Sequence, residues 1–125
     1  MTDYSKLSDF EIDKAVADKL GFDYEISVMF VNPVDKVNGT HVEQYIRKKI
    51  TGNEKYWKRF SPTRIPNDAW SIIVENGISL ECVVVNKHQK TWRALFKPSY
   101  VKHKVNDKNP LRAAMIVFLQ MQENK

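Results

Sequence analysis

The sequence predicts an α+β fold: a small antiparallel sheet flanked by helices, an α-β-α sandwich with the order α-β-(α)-α-β-β-α. Three observations carry this expectation. An alternating run, Tyr24-Ile26-Val28-Phe30, follows a segment with strong helix-start signals. Two apolar runs, 78–85 and 91–96, flank a polar turn and read as a hairpin. The closing run from Leu111 to Leu119 is apolar nearly all round, as a helix buried against a sheet must be. At 125 residues the chain is expected to form a single domain, 1–125, large enough to build a core without disulfides or metals.

The first helix is written in its cap. Ser8 can accept from the amide of Glu11 while the Glu11 carboxylate reaches back to the Ser8 amide, a capping box. Leu7 and Ile12 supply the hydrophobic staple, and Asp9 and Glu11 suit the positive end of the helix dipole. Ile12, Ala15, Val16 and Leu20 form the apolar stripe and Gly21 stops the helix, which gives 9–20. A strand is expected over 24–31, closed by Asn32-Pro33. Thr40-His41-Val42-Glu43 resembles a second capping box, and with Val42, Ile46 and Ile50 it predicts a helix over 41–50. Thr51-Gly52-Asn53 breaks that segment.

Pro62 and Pro66 bracket a loop, and a helix begins near Asn67 with Trp70, Ile73 and Val74 on one stripe and Asn76-Gly77 as its stop. In the hairpin, Cys82 is expected to be a small buried hydrophobe, and Trp70 and Trp92 are expected on inner faces. Residues 97–108 read as a long polar loop. Asn109 then caps the last helix, with Pro110 at its first position.

Three blocks, in order along the chain, resemble one family. They are Tyr4-Ser5-Lys6-Leu7-Ser8-Asp9-Phe10-Glu11-Ile12, the run from Asp68-Ala69-Trp70 to Ser79-Leu80, and the run from Asn109-Pro110-Leu111 to Leu119 with Met121-Gln122. They are similar to the NinX-like phage proteins of unknown function. The layout also resembles the wider phage α-β-α sandwich domain, with Trp92 at the position of a central hairpin tryptophan. The resemblance implies a tailed-phage or prophage origin and that fold, and it implies no chemistry. Thr63-Arg64-Ile65-Pro66-Asn67 stands where the family has a short polar turn, and residues 32–66 are set apart as a family-divergent, insert-like region.

The net charge of +5 is unevenly placed. Residues 47–64 hold seven basic side chains and one acidic, residues 87–112 hold eight and one, and residues 1–46 hold four and nine. Within the first basic block, Lys55-Tyr56-Trp57-Lys58-Arg59-Phe60 interleaves rings and cations. Such a pattern suits stacking on bases with pairing to phosphates, and it equally suits rings anchored in a core with cations reaching to water. The candidate binding surface comprises Arg47, Lys48, Lys49, Lys55, Tyr56, Trp57, Lys58, Arg59 and Arg64 from the first block and Lys87, Lys90 and Arg93 from the second.

Other chemistry finds little footing. Glycines at 21, 39, 52 and 77 form no phosphate-cradling loop, and no G-x-S-x-G elbow occurs. His41, His88 and His103 are far apart in polar surroundings, with no C-x-x-C or H-x-x-H spacing, so no metal site and no cofactor are expected. Asp9, Glu11 and Asp13 are accounted for by capping and the helix dipole. The opening MTDYSKLSDFEIDK is too acidic and polar for a signal peptide, no run of about 18 apolar residues occurs, and one cysteine suits a reducing compartment. The expectation is a cytoplasmic, non-enzymatic phage accessory protein. It binds a host or phage macromolecule, a protein first, and so modulates host machinery or defence. Nucleic-acid or nucleotide binding by the same blocks and a small enzyme are the alternatives, and no membrane is expected.

Overall fold

The computed structural model describes residues 3–30, 32–39, 42–49, 57–99 and 103–123. After a 3-10 turn at Tyr4–Lys6 comes α1, Asp9–Leu20. Its capping box is formed as the sequence predicts: Glu11 N donates to Ser8 Oγ at 3.1 Å and Ser8 N donates to Glu11 Oε1 at 3.2 Å. Gly21 closes it in the left-handed region, φ 78°, where a side chain would be strained. The remaining elements are β1 (Tyr24–Phe30), α2 (Pro33–Asn38), β2 (Val42–Lys49), β3 (Trp57–Phe60), α3 (Pro66–Asn76), β4 (Ser79–Asn86), β5 (Gln89–Leu95), β6 (Lys104–Asp107) and α4 (Pro110–Glu123).

The α+β class holds, with the antiparallel strands divided between two three-stranded sheets, β1-β2-β3 and β4-β5-β6. Two segments differ from expectation. The helix predicted over 41–50 is the strand β2, which pairs with β1 from Tyr24↔Lys48 to Phe30↔Val42. The apolar spacing misleads because four is an even number. Val42 and Ile46 share one face of a strand as readily as one face of a helix, and the need of β1 for a partner decides. Thr40 and His41 of the supposed capping box lie outside the described residues, as does Ile50. In the second sheet, the predicted loop 97–108 contains β6, paired with β5 through Trp92↔Asp107 and Ala94↔Val105. Val105 is the one apolar residue of β6, too weak a pattern to reveal a strand.

α4 is the centre of the molecule. Ala113 to Leu119 are all buried, and α1, α3, β5 and β6 pack around it. Asn109 caps it, Oδ1 accepting from Leu111 N at 2.9 Å, with Pro110 at its first position as predicted. β2 packs on α1, and the first sheet reaches the core through Ile46 and Phe60.

Periodicity identifies the strand faces but not their cover, and in α3 it selects the wrong stripe. Trp70 is 64% exposed, with Val74 also exposed, because α3 buries the neighbouring stripe Ala69-Ile72-Ile73. Both stripes have helical spacing. Ala69, fully buried against a helix that presents Ala113 and Ala114, permits a close approach that a tryptophan would block. Trp92 is half-buried. Cys82 is exposed rather than buried, although it shares the face of Leu80 and Ala94, because the hairpin runs past the helices there. Ile26, Val28 and Phe30 are exposed in the same way. His103, expected in polar surroundings, is buried, its carbonyl accepting from Phe96 N at 3.0 Å.

A polar clasp joins the layers. Asp13, expected to serve only the helix dipole, is 4% exposed on the core face of α1. It accepts from Ser61 Oγ at 2.7 Å and from Thr63 N at 3.0 Å. The same turn is held from the other side, Asn109 Nδ2 donating to Thr63 O at 2.7 Å. Asp68, in the first turn of α3, accepts from Ser61 N. Arg112 of α4 donates to Asp9 Oδ1 at 2.7 Å, to Asp107 Oδ2 at 3.0 Å and to the carbonyls of Ser5 and Leu7.

Burial pushes the Asp13 carboxyl above its ordinary value of 3.8, against the hydrogen bonds from Ser61 and Thr63 that favour the charged form. The native state therefore holds this proton more tightly than the unfolded chain. Asp13's contribution to stability falls as pH rises from about 3.8 through its raised native value. Asp13→Asn can still accept from Thr63 N through Oδ1 and donate from Nδ2 to Ser61 Oγ, and it is expected to remove that fall, seen as a flatter Tm-against-pH curve. Asp13→Ala strands the Ser61 hydroxyl and the Thr63 amide and is expected to cost about 1–3 kcal/mol in urea denaturation at neutral pH.

Candidate functional site

The first basic block is built on β2 and β3, and strand alternation sorts it onto two faces. Ile46 and Phe60 mark the inward face. Tyr45, Arg47 and Lys49 of β2, Trp57 and Arg59 of β3, and Glu25 of β1 lie on the outward one. The register sets Arg47 directly opposite Arg59 and Lys48 directly opposite Lys58. Like charges facing each other across a ladder are unfavourable, so each must be offset locally.

On the outward face the offset comes from rings and one carboxylate. The Arg47 guanidinium lies 5.1 Å from the Trp57 ring centroid and pairs with Glu25. Arg59 lies 5.8 Å from the Tyr45 ring. Both contacts run diagonally between strands, and their cation–π attraction partly replaces the hydration lost over the ring. The Nε atoms of Arg47 and Arg59 are shielded from solvent without a hydrogen-bond partner among the described residues. Lys49 lies directly opposite Trp57. Together these residues make a surface of two rings and three cations.

On the inward side, Lys48 and Lys58 are exposed at the sheet's end. Lys48 Nζ sits 4.5 Å from the Phe22 ring, and Lys58 Nζ is 3.7 Å from Asp68 Oδ1. They edge a cavity of about 250 Å³ shared with Ser71 and Glu75 of α3. Its mixed charge gives it no strong preference for an anion. Arg64 is spent on structure, with Nε 3.6 Å from Asp9 and Nη1 3.5 Å from Glu43. Lys55 and Tyr56 lie outside the described residues.

The second block stands on the other sheet. Arg93 faces away from Ala94 and the core, donating to Glu81 Oε1 at 3.0 Å and to Asn106 Oδ1 at 3.3 Å. Lys87 and Lys90 are exposed at the hairpin turn with His88. The two blocks are therefore carried by separate sheets, each held by its opposite face to the helices.

Among the described residues, no group of three or more His, Cys, Asp or Glu could hold a metal ion. His41 lies outside them. No helix of the described chain is long and apolar enough to cross a membrane.

Residues 3–122 match the family described as "Bacteriophage P22, NinX". The chain belongs to that family. The match spans the capped first helix, both sheets and nearly all of α4, so family membership covers the whole assembly described above. No curated protein and no solved structure matches the chain.

Tyr45, Glu25 and Glu43 join this face although the sequence pattern, taken as a helix over 41–50, does not point to them. Once 42–49 is taken as a strand, Glu43-Tyr45-Arg47-Lys49 becomes one face, so the signal was present but masked by the helical reading. The Arg47–Trp57 contact is expected to show a coupling of about 0.5–1 kcal/mol in a double-mutant cycle of Arg47→Ala and Trp57→Ala, read by chemical denaturation.

Proposed function

We propose that the protein is a non-enzymatic phage accessory protein that binds a host or phage protein through the outward face of β1-β2-β3. The observation that supports this most is the pairing of Arg47 and Arg59 directly across β2 and β3, each over an aromatic ring. Tryptophan, tyrosine and arginine are the residue types that dominate binding energy at protein interfaces. Here they lie on a sheet, and the rings hold the guanidinium planes in place before a partner arrives. Less ordering entropy is then lost on binding.

The charge pattern favours a protein over a nucleic acid. Glu25 and Glu43 share the face with Arg47, Lys49 and Arg59, and Arg47 is already neutralised by Glu25. A phosphate backbone would meet those carboxylates at close range, whereas a protein surface can place cations opposite them. The hairpin block of Lys87, Lys90 and Arg93 stands as a secondary contact or a solubility surface. Modulation of host machinery or defence is the role such binding would serve, in the cytoplasm of an infected or lysogenic host.

Affinity capture from infected cells tests this with two altered baits. Trp57→Ala/Arg59→Glu is expected to lose the partner by about thirtyfold or more, the effect of removing a hot spot worth 2 kcal/mol. Lys87→Glu/Lys90→Glu is expected to retain it. Equal recovery by the wild type and the sheet variant sinks the proposal. Fluorescence anisotropy with single-stranded DNA supplies the other arm: binding that falls steeply with salt and disappears with Trp57→Ala would replace the protein partner with a nucleic acid.

A further inference from the structure

Among the described residues β1 is an edge of the first sheet, and it lacks the short length, lysines, prolines and bulges that protect edges. The opposite edge, β3, is four residues long and carries Lys58 and Arg59. In the second sheet, β4 has a register irregularity between Val84 and Asn86, and β6 is four residues long with Lys104 and Asp107. Short length, charge and bulges are the usual defences of an edge against pairing with another chain. β1 runs seven residues in unbroken register with β2, contains no proline or lysine, and its one charge, Glu25, is neutralised by Arg47. Its inward face presents Ile26, Val28 and Phe30, with Val42 beside them, all exposed, and Val28 is 60% exposed. α2, which touches β1, adds exposed Val34 and Val37.

The sequence of the strand selects its occupant. Tyr24-Glu25-Ile26-Ser27-Val28-Met29-Phe30 is nearly palindromic in character about Ser27. Set antiparallel to a second copy with Ser27 opposite Ser27, it pairs Tyr24 with Phe30 and Ile26 with Val28 on the inward face. On the outward face it pairs Glu25 with Met29. No like charges meet, and every apolar side chain on the inward face gains an apolar neighbour across the join. We infer that β1 joins a second copy of this chain edge to edge about Ser27, making one six-stranded antiparallel sheet. The arrangement is isologous, so it closes at two copies. It sets both Arg47–Arg59 faces on the same side of the joined sheet, and it holds whether or not those faces bind a protein.

Sedimentation equilibrium across a wide concentration range is the first test. The expected result is a mass approaching twice the 14.6 kDa of the chain. Val28→Lys is expected to weaken association about tenfold or more while leaving the thermal melt unchanged, since this side chain lies outside the core. Cysteine pairing reads the register itself, in a Cys82→Ser background. Ser27→Cys is expected to form a disulfide-linked dimer on mild oxidation, because directly opposed residues are about 4.5–5.5 Å apart at Cα. Met29→Cys is not, since its copy lies about 13 Å away along the strand. A monomer at every concentration overturns the inference and leaves the edge to a strand of another protein. So does a dimer indifferent to Val28→Lys, or Met29→Cys linking as readily as Ser27→Cys. If Val28→Lys melts early, the cysteine pair decides alone.

Discussion

The structure depends on one buried carboxylate. Asp13 sits in the middle of α1, on the face that packs into the core, and it holds a turn from forty-eight residues further along the chain. A buried carboxylate is costly unless its oxygens are met, and here the Ser61 hydroxyl and the Thr63 amide meet them. That requirement fixes the 61–65 turn against α1. The turn is the point where the first sheet hands over to α3, so Asp13 sets where both of them stand. Asn109 grips the same turn through Thr63 O and caps α4 with its other amide atom, so the central helix is positioned from the same place. Arg112 completes the arrangement by binding the start of α1 and the end of β6. The three sequence blocks that resemble the family contribute Asp9, Asp68, Asn109 and Arg112 to this network. Asp13 follows directly on the first block, and Ser61 and Thr63 come from the family-divergent region 32–66.

What was legible in the sequence follows from the range of the interactions involved. The first helix was readable to the residue because its cap is local: Ser8 and Glu11 bond each other regardless of what packs on them. The Asn109-Pro110 start of α4 and the Gly77 stop of α3 are local in the same sense. β2 was misread because its apolar spacing fits two periods, and only the partner strand β1 distinguishes them. Trp70 was placed inside because two overlapping stripes of α3 have the same spacing, and the choice rests on Ala113 and Ala114 of another helix. Cys82, Ile26 and Val28 were assigned the correct face, but whether anything covers that face depends on where α1 and α4 end. Asp13 escaped because its partners are nearly fifty residues away and its neighbours offered a sufficient local account. The candidate surface fared similarly. Its cations and Trp57 could be named from composition, while Tyr45 and Glu25 required the register.

The register also changes the meaning of the charge. Two basic blocks on one chain suggest a single cationic face. Divided between two sheets, and partly neutralised by Glu25, Glu43, Asp68 and Glu81, they become separate and specific. The outward face of the first sheet owes its character less to net charge than to guanidinium planes laid over Trp57 and Tyr45. Long-range attraction of anions is correspondingly weaker there.

The central position of α4 has a consequence for how the molecule comes into being. The packing surfaces of α1, α3 and the second sheet close on Ala113–Leu119, and this helix follows the other described elements in the chain. β1 and β2 can pair early and offer α1 a first surface, but α1, α3 and the second sheet lack their main packing partner until α4 emerges. The core therefore closes only once α4 is available. Until then Ile12, Val16, Ile72 and Ile73 lack the α4 surface that buries them.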